Sequence, residues 1–286
     1  MARIPNSKFL IPNCAFLLSS LVACALVLAT AVVSAQLPLE PLKDSGQGVT
    51  PAYEGWFKNP DGSFTLLLGY YNRNLKQTLD IPVGPDNRIE PGGPDQGQPT
   101  HFLPRRQWGV FAVRVPADFG EKKLTWTIVA NGRTASVPIG LHRDYEVEPY
   151  KDVANRNTPP VLRLEQGGSP LQGPPRWIAA TLGTTLPQPV TLTLFASDDG
   201  IVTPERRAPA SPVTVTWSVL RWPGAVTFAT PRPAIEASGR TSTTATFSVP
   251  GEYILRAQAN DMSGDGGGGF QCCWTNVHVK VTVKAQ

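Results

Sequence analysis

The sequence predicts an all-β protein built as two β-sandwich domains in tandem behind an N-terminal signal segment. Three observations carry this. Pro and Gly, 29 and 26 of 286 residues, are spread along almost the whole chain and leave apolar runs too short for ordinary helices. Apolar and polar residues alternate in run after run, most clearly from Pro212 to Asn260. The length suffices for two domains that each bury a core.

The chain is divided as residues 1–35, a leader; 36–50, a flexible lead-in; 51–150, a first sandwich; 151–160, a linker; and 161–286, a second sandwich. In the leader, Arg3 and Lys8 precede an uncharged apolar run, and Val33-Ser34-Ala35 places small residues where signal peptidase cuts. The mature chain then starts near Gln36 and is exported to the periplasm, the cell surface or the medium. Two alternatives stand beside cleavage. The run from Cys14 to Ala35 is nearly long enough to anchor in a bilayer, and Leu21-Val22-Ala23-Cys24 resembles a bacterial lipobox that would leave a lipidated Cys24. Contact with a membrane is expected only through this segment.

Charge is balanced. The formal net charge is +4 and falls to +2 without Arg3 and Lys8. That argues against a nucleic-acid partner, which needs a concentrated basic surface.

Structure is expected to start at Tyr53. Tyr53 to Lys58 and Ser63 to Tyr71 flank Asn59-Pro60-Asp61-Gly62, a turn with Pro early and Gly late, and so form a hairpin. Alternation puts Tyr53, Gly55 and Phe57 on one side and Glu54, Trp56 and Lys58 on the other; Phe64, Leu66, Leu68 and Tyr70 form the core face of the second strand. A short strand from Gln77 to Val83 precedes a long loop, Gly84 to Pro104, read as either a functional loop or a disordered insertion. Strands follow at Gln107–Val115 and Leu124–Ala130, and Asn131-Gly132 supplies a type I′ turn into Thr134–Ile139. The first half therefore counts about six strands.

In the second half, strands are expected at Val190–Ser197, Val213–Val219, Ala225–Phe228, Thr243–Phe247, Tyr253–Ala259 and Val277–Val283, with Trp217 as core plug and His278, Lys280 and Lys284 outward. The segment from Gly167 to Arg176 is read as a loop. The succession Asp198-Asp199-Gly200, Val215 to Ser218, Pro223 to Phe228, Thr243 to Phe247, Pro250 to Arg256 and Ala259 to Asp261 resembles the PKD-like immunoglobulin-type repeat of bacterial surface and secreted proteins. The resemblance covers about residues 158–286. It implies a seven-stranded sandwich with a role in adhesion, spacing or ligand presentation, and no catalytic residues. Tyr253 sits where a tyrosine corner would lie, its hydroxyl bonded to nearby backbone. The departure is Asp261 to Trp274, where a short connection becomes a glycine-rich loop ending in Cys272-Cys273.

Three constellations are candidate sites. Trp56, Tyr71 and Trp108, near Arg73 and Arg114, are placed off the core side of the first sheet, where rings with hydrogen-bonding neighbours suit a glycan or an extended peptide; the opposing reading covers them with the other domain or a loop. Cys272 and Cys273 are read as a vicinal disulfide, as thiols for intermolecular pairing or for a metal shared with His278, or as a buried unreactive pair. Asp261 and Asp265, with Gly266 to Gly269, suggest a calcium turn or else a solvated glycine loop; no other cofactor is expected. No nucleophile, zinc or phosphate motif is present, and His101, His142 and His278 are far apart in sequence. The reading is a non-catalytic exported protein that binds or adheres to a glycan or envelope protein, with a structural spacer as the alternative and a redox or metal protein through the cysteines as the least favoured.

Overall fold

The computed structural model describes residues 43–152, 156–176, 178–201, 213–261 and 272–286. The leader, Asp265 and most of the glycine-rich loop lie outside the described residues. The described part is all-β: sixteen strands and one short 3-10 turn, Arg143–Tyr145.

The first sandwich holds β1 (Val49–Lys58), β2 (Phe64–Asn72), β3 (Leu79–Asp80), β4 (Asn87–Glu90), β5 (His101–Phe102), β6 (Arg105–Val115), β7 (Lys123–Ala130) and β8 (Arg133–Gly140). Antiparallel sheet β1-β2-β6 packs on β4-β7-β8 around Leu66, Leu68, Phe111, Trp126 and Ile128, with β3 and β5 paired separately. Both sequence-predicted turns are present. Lys58 pairs with Phe64 across Asn59–Ser63, and Ala130 pairs with Arg133 across Asn131 and Gly132, whose φ values of 49° and 72° suit a type I′ turn.

The structure corrects three expectations here. There are eight strands, because the 84–104 segment is built into the fold: it contributes β4 and β5. Its Asn87 is fully buried, donating from Nδ2 to the carbonyls of Ile81 and Pro99 while Oδ1 accepts from Trp126 Nε1 at 3.0 Å. Strands of two and four residues are too short for alternation to reveal. The lead-in is also pinned from Lys43 onward: Lys43 bridges Asn74, the buried Gln47 N–H bonds Asn74 Oδ1 at 2.7 Å, and β1 begins at Val49. Third, a β-bulge between Tyr53 and Gly55 shifts the register of β1 on β2, so Trp56 pairs with Leu66 and faces the core, whereas Phe57 turns to the other face.

The second sandwich is immunoglobulin-like. Its strands are β9 (Val161–Arg163), β10 (Ile178–Thr185), β11 (Val190–Ser197), β12 (Thr214–Arg221), β13 (Val226–Phe228), β14 (Arg240–Phe247), β15 (Gly251–Asn260) and β16 (Trp274–Lys284). Sheet β13-β14-β11-β9 faces sheet β10-β16-β15-β12. This is the D-E-B-A and A′-G-F-C arrangement of an immunoglobulin domain, with β10 running parallel to β16 as a split first strand. The split makes eight strand segments of an expected seven. Trp217 is core, at 3% exposure. Tyr253 is fully buried and donates its hydroxyl to the Val249 carbonyl at 2.8 Å, forming the tyrosine corner.

The two sandwiches have separate hydrophobic cores, yet the described residues from Lys43 onward form one compact unit. Leu220 of β12 and Ile254 of β15, which alternate outward from their own core, pack into the first one. Strands β15 and β16 are consequently buried on both faces over most of their length.

Candidate functional site

The five residues nominated for ligand binding are not all brought together: Tyr71, Arg73 and Trp108 lie near one another, and Trp56 and Arg114 lie elsewhere. Trp56 lies against the first core, meets Phe64 edge-on at 5.5 Å and donates Nε1–H to the His142 carbonyl at 2.8 Å. Tyr71 pairs with Arg106 at one end of the sheet, near Arg73 and the Trp108 ring, over which the Arg106 guanidinium stacks at 3.8 Å. Arg114 pairs with Thr65, six residues from Tyr71 along β2 and hence about 20 Å away. There it bonds Ser63 Oγ at 2.9 Å and forms an ion pair with Asp61. Ser63, donating Oγ–H and N–H to Asp61 Oδ1 at 2.6 and 3.2 Å, and to a lesser degree Arg114, hold the Asp61 carboxyl below its usual range.

What does converge is a polar seam between the sandwiches, centred on Gly109. Between Leu68 and Tyr70 of β2 the register of β6 shifts, so that Gly69 faces the three residues Trp108, Gly109 and Val110. This irregularity turns the Gly109 and Val110 carbonyls away from the ladder and toward β16. Asn276 Nδ2 donates to the Gly109 carbonyl at 2.8 Å, and His278 Nε2–H to the Val110 carbonyl at 3.0 Å. The Gly109 N–H donates to Glu54 Oε2 at 2.7 Å. With φ at 49°, and with the Trp274 ring 3.0 Å from where a Cβ would stand, this position requires glycine.

Charges gather around that peptide. Glu54 is 5% exposed and its Oε1 accepts from Arg106 Nη2 at 2.6 Å. Burial pushes its carboxyl pKa up, opposed by Arg106, the Gly109 N–H and Arg256. Arg256, 3% exposed, donates from Nε to Asn276 Oδ1 at 2.8 Å and from Nη1 to Gln107 Oε1 at 3.3 Å. His278, expected to face outward, does leave its own core but is buried by the first sandwich at 7% exposure. Burial, reinforced by the Arg256 charge, lowers its pKa to about 3, so the ring is neutral at pH 7 with the proton on Nε2. At the rim, Arg221 of β12 makes a bidentate pair with Asp95, at 2.8 and 2.6 Å, and donates to the Gln98 carbonyl. The Arg221 bonds hold Asp95 below its ordinary carboxylate range. Thr100 N–H reaches the Leu220 carbonyl at 3.0 Å.

The cysteines lie immediately before β16, whose first residue Trp274 lies against Gly109 in this seam. Cys272 and Cys273 are 3% and 1% exposed, their sulfurs are in bonding contact, and both face the Asn157 carbonyl at 3.9 and 3.4 Å. His278 Nε2 is committed to Val110, and among the described residues no three His, Cys, Asp or Glu side chains are grouped to hold a metal. Asp261 Oδ2 accepts from Asn157 Nδ2 at 2.6 Å, and Thr158 bonds Asp199 Oδ2 through N–H and Oγ1 at 2.9 and 2.7 Å. Burial, with the fields of Asp199 and Asp261, raises Asp198 to about 6 despite the Gly200 N–H bond. Asp265 lies outside the described residues.

Sequence reasoning missed Glu54, Arg106, Gly109, Arg256 and Asn276. Alternation marks Arg256 and Asn276 only as outward-facing, and a bulge has no period-two signature. The Trp108-Gly109 step inside a strand pattern was the available signal, since glycine in a strand marks a bulge or a close approach.

No protein-family model matches the chain, and no curated protein matches it. Among solved structures, the D00-D0 domain of intimin is similar at 13% identity and TM-score 0.26, covering 82% of this chain and 98% of that one. The titin Ig tandem domains A164-A165 match at 10% identity and TM-score 0.23, with 84% of this chain and 100% of that one covered. The fibronectin(III)-like modules of Clostridium thermocellum CbhA match at 13% identity and TM-score 0.23, covering 82% and 95%.

Proposed function

We propose that the chain is a non-catalytic exported module in which two sandwiches, locked into one rigid body, serve as a structural spacer and presenting element of a cell-envelope or extracellular assembly. The observation that carries this reading is the seam at Gly109. Its N–H, its carbonyl and its open face are engaged by Glu54, Asn276 and Trp274 respectively. Tandem domains that move freely meet through small, wet surfaces, whereas this seam buries an arginine, a glutamate and a histidine with their partners. Breaking such a network leaves buried polar groups unsatisfied, which resists hinge motion. In this reading the outer faces of β15 and β16 serve cohesion between the sandwiches and not ligand capture. The PKD-like character of the second sandwich and a partner among envelope proteins belong to the same proposal.

Differential scanning calorimetry of the full chain tests the rigid-body part. One cooperative transition is expected in the parent, separating into two in an Arg256→Ala, Asn276→Ala double variant. Two independent transitions in the parent would overturn the reading. Fractionation of the producing cells tests export, and recovery of the chain in the cytosol would defeat that part.

A further inference from the structure

A cleft of about 770 Å³ opens on the first sandwich, between the Gly120–Lys123 turn, the end of β8 and the 3-10 turn at Arg143–Tyr145. Its floor is aromatic. Tyr53 and Tyr145 pack with ring centroids 5.2 Å apart, and the Tyr53 hydroxyl is fixed by donation to the Gly140 carbonyl at 2.6 Å. Tyr145 is 50% exposed, the most exposed large hydrophobic side chain among the described residues. Val137 and Leu141 form an apolar wall.

This arrangement is held in place from beneath. The β1 bulge brings Gly55 against the segment after the 3-10 turn, where a Cβ would stand 2.6 Å from the Tyr145 carbonyl oxygen. Trp56 clamps the same segment, donating Nε1–H to the His142 carbonyl and accepting Val147 N–H at 2.9 Å. The tyrosine floor is therefore preorganised.

Around the rim stand three cations, Lys122, Lys123 and Arg143, against one carboxylate, Glu121. None of the three cations forms an ion pair among the described residues, so their charges are available to a ligand. The nearby Asp144 faces His142 at 3.6 Å.

We propose that this cleft binds an acidic carbohydrate, a sugar ring bearing a carboxylate. Such a ring has an apolar C–H face to lie on Tyr145 and an equatorial anion to reach the lysine and arginine rim, matching an aromatic floor with a cationic edge. An acidic peptide carries its carboxylates on flexible stems and would leave the tyrosine face uncovered. The proposal stands apart from the rigid-spacer reading, and the calorimetry above does not bear on it.

Titration calorimetry of the full chain with a galacturonic acid trisaccharide tests it, with a neutral galactose trisaccharide and triglutamate as comparison probes. Saturable binding of the acidic sugar is expected, at least about tenfold tighter than the neutral one. Tyr145→Ala is expected to weaken it about threefold to tenfold. The Lys122→Ala, Lys123→Ala double variant is expected to weaken it and flatten its salt dependence. These positions are exposed, and an unchanged melting temperature in each variant will show that the fold is retained. No saturable binding of the acidic sugar, equal binding of the neutral sugar, unaltered affinity in the Tyr145 variant, or triglutamate bound as tightly would each overturn the proposal.

Discussion

Acidification should loosen the chain through one buried imidazole. His278 sits between the sandwiches, donating Nε2–H to Val110, with the Arg256 charge close by. A free histidine in the unfolded chain titrates near pH 6.5, whereas burial first and Arg256 second depress the folded value to about 3. Between those values the unfolded state binds the extra proton, so this contribution to stability is complete above about pH 6.5 and is lost as pH falls toward 3. The two values give a loss of about 1 kcal/mol at pH 5.5 and about 3 kcal/mol at pH 4.5, relative to pH 7.5. Glu54 and Asp198 act in the opposite sense, because burial raises their folded values and they gain protons in the native state first. The contribution of His278 is therefore read as a difference. Urea unfolding of the parent and of His278→Gln, which retains an N–H for the Val110 carbonyl, is to be followed by tryptophan fluorescence at pH 7.5, 5.5 and 4.5. The parent should lose about 1 and then about 3 kcal/mol more than the variant. Parallel pH profiles, or an NMR titration of the His278 ring near pH 6.5, would refute the argument.

Gly109→Ala forces a Cβ into positive φ and against the Trp274 ring, and should cost about 2–3 kcal/mol, read as a fall in melting temperature. Tyr253→Phe removes the corner hydrogen bond to Val249 without changing the ring packing, and a loss of about 1 kcal/mol in urea unfolding is expected. Arg221→Ala breaks the bidentate pair with Asp95. Because Asp95 is 57% exposed, the loss should be only about 1 kcal/mol and should shrink in 1 M salt, the salt dependence being the discriminating measurement. For the cysteines, mass spectrometry of the non-reduced peptide containing Cys272 and Cys273 should show a mass lower by two hydrogens than the dithiol. Free thiols that alkylate in the native protein would rule out the vicinal disulfide.

How much of this was legible in the sequence varies with the range of the physical cause. Turn chemistry is local, so Asn59–Gly62 and Asn131-Gly132 were readable from residue type alone. In the second sandwich β11, β12, β15 and β16 were readable because alternation persists over eight or more residues, whereas β9 (Val161–Arg163) and β10 (Ile178–Thr185) were not anticipated. The faces of β1 were not readable, because a single inserted residue at the bulge inverts every assignment beyond it, moving Trp56 onto the first core and Phe57, still buried, to the opposite face against Tyr150. The 84–104 segment carried no usable period and is held by buried side-chain bonds to distant backbone.

Composition and alternation by themselves determined that this protein is all-β, that it has two cores, and that Trp217 and Tyr253 are structural, since those follow from which side chains avoid water along each strand. Only the tertiary structure decided that the outward side of β15 and β16 is an inside. Arg256, Asn276 and His278 read as solvent-facing within their own sandwich, and a second sandwich removes them from water. The same holds for the cleft. Tyr53, Lys122 and Tyr145 are far apart in the chain and become neighbours because a bulge and an anchoring tryptophan lay one segment across another. A pattern along a strand records which face is apolar, and it holds no record of what another part of the chain will place against the other face.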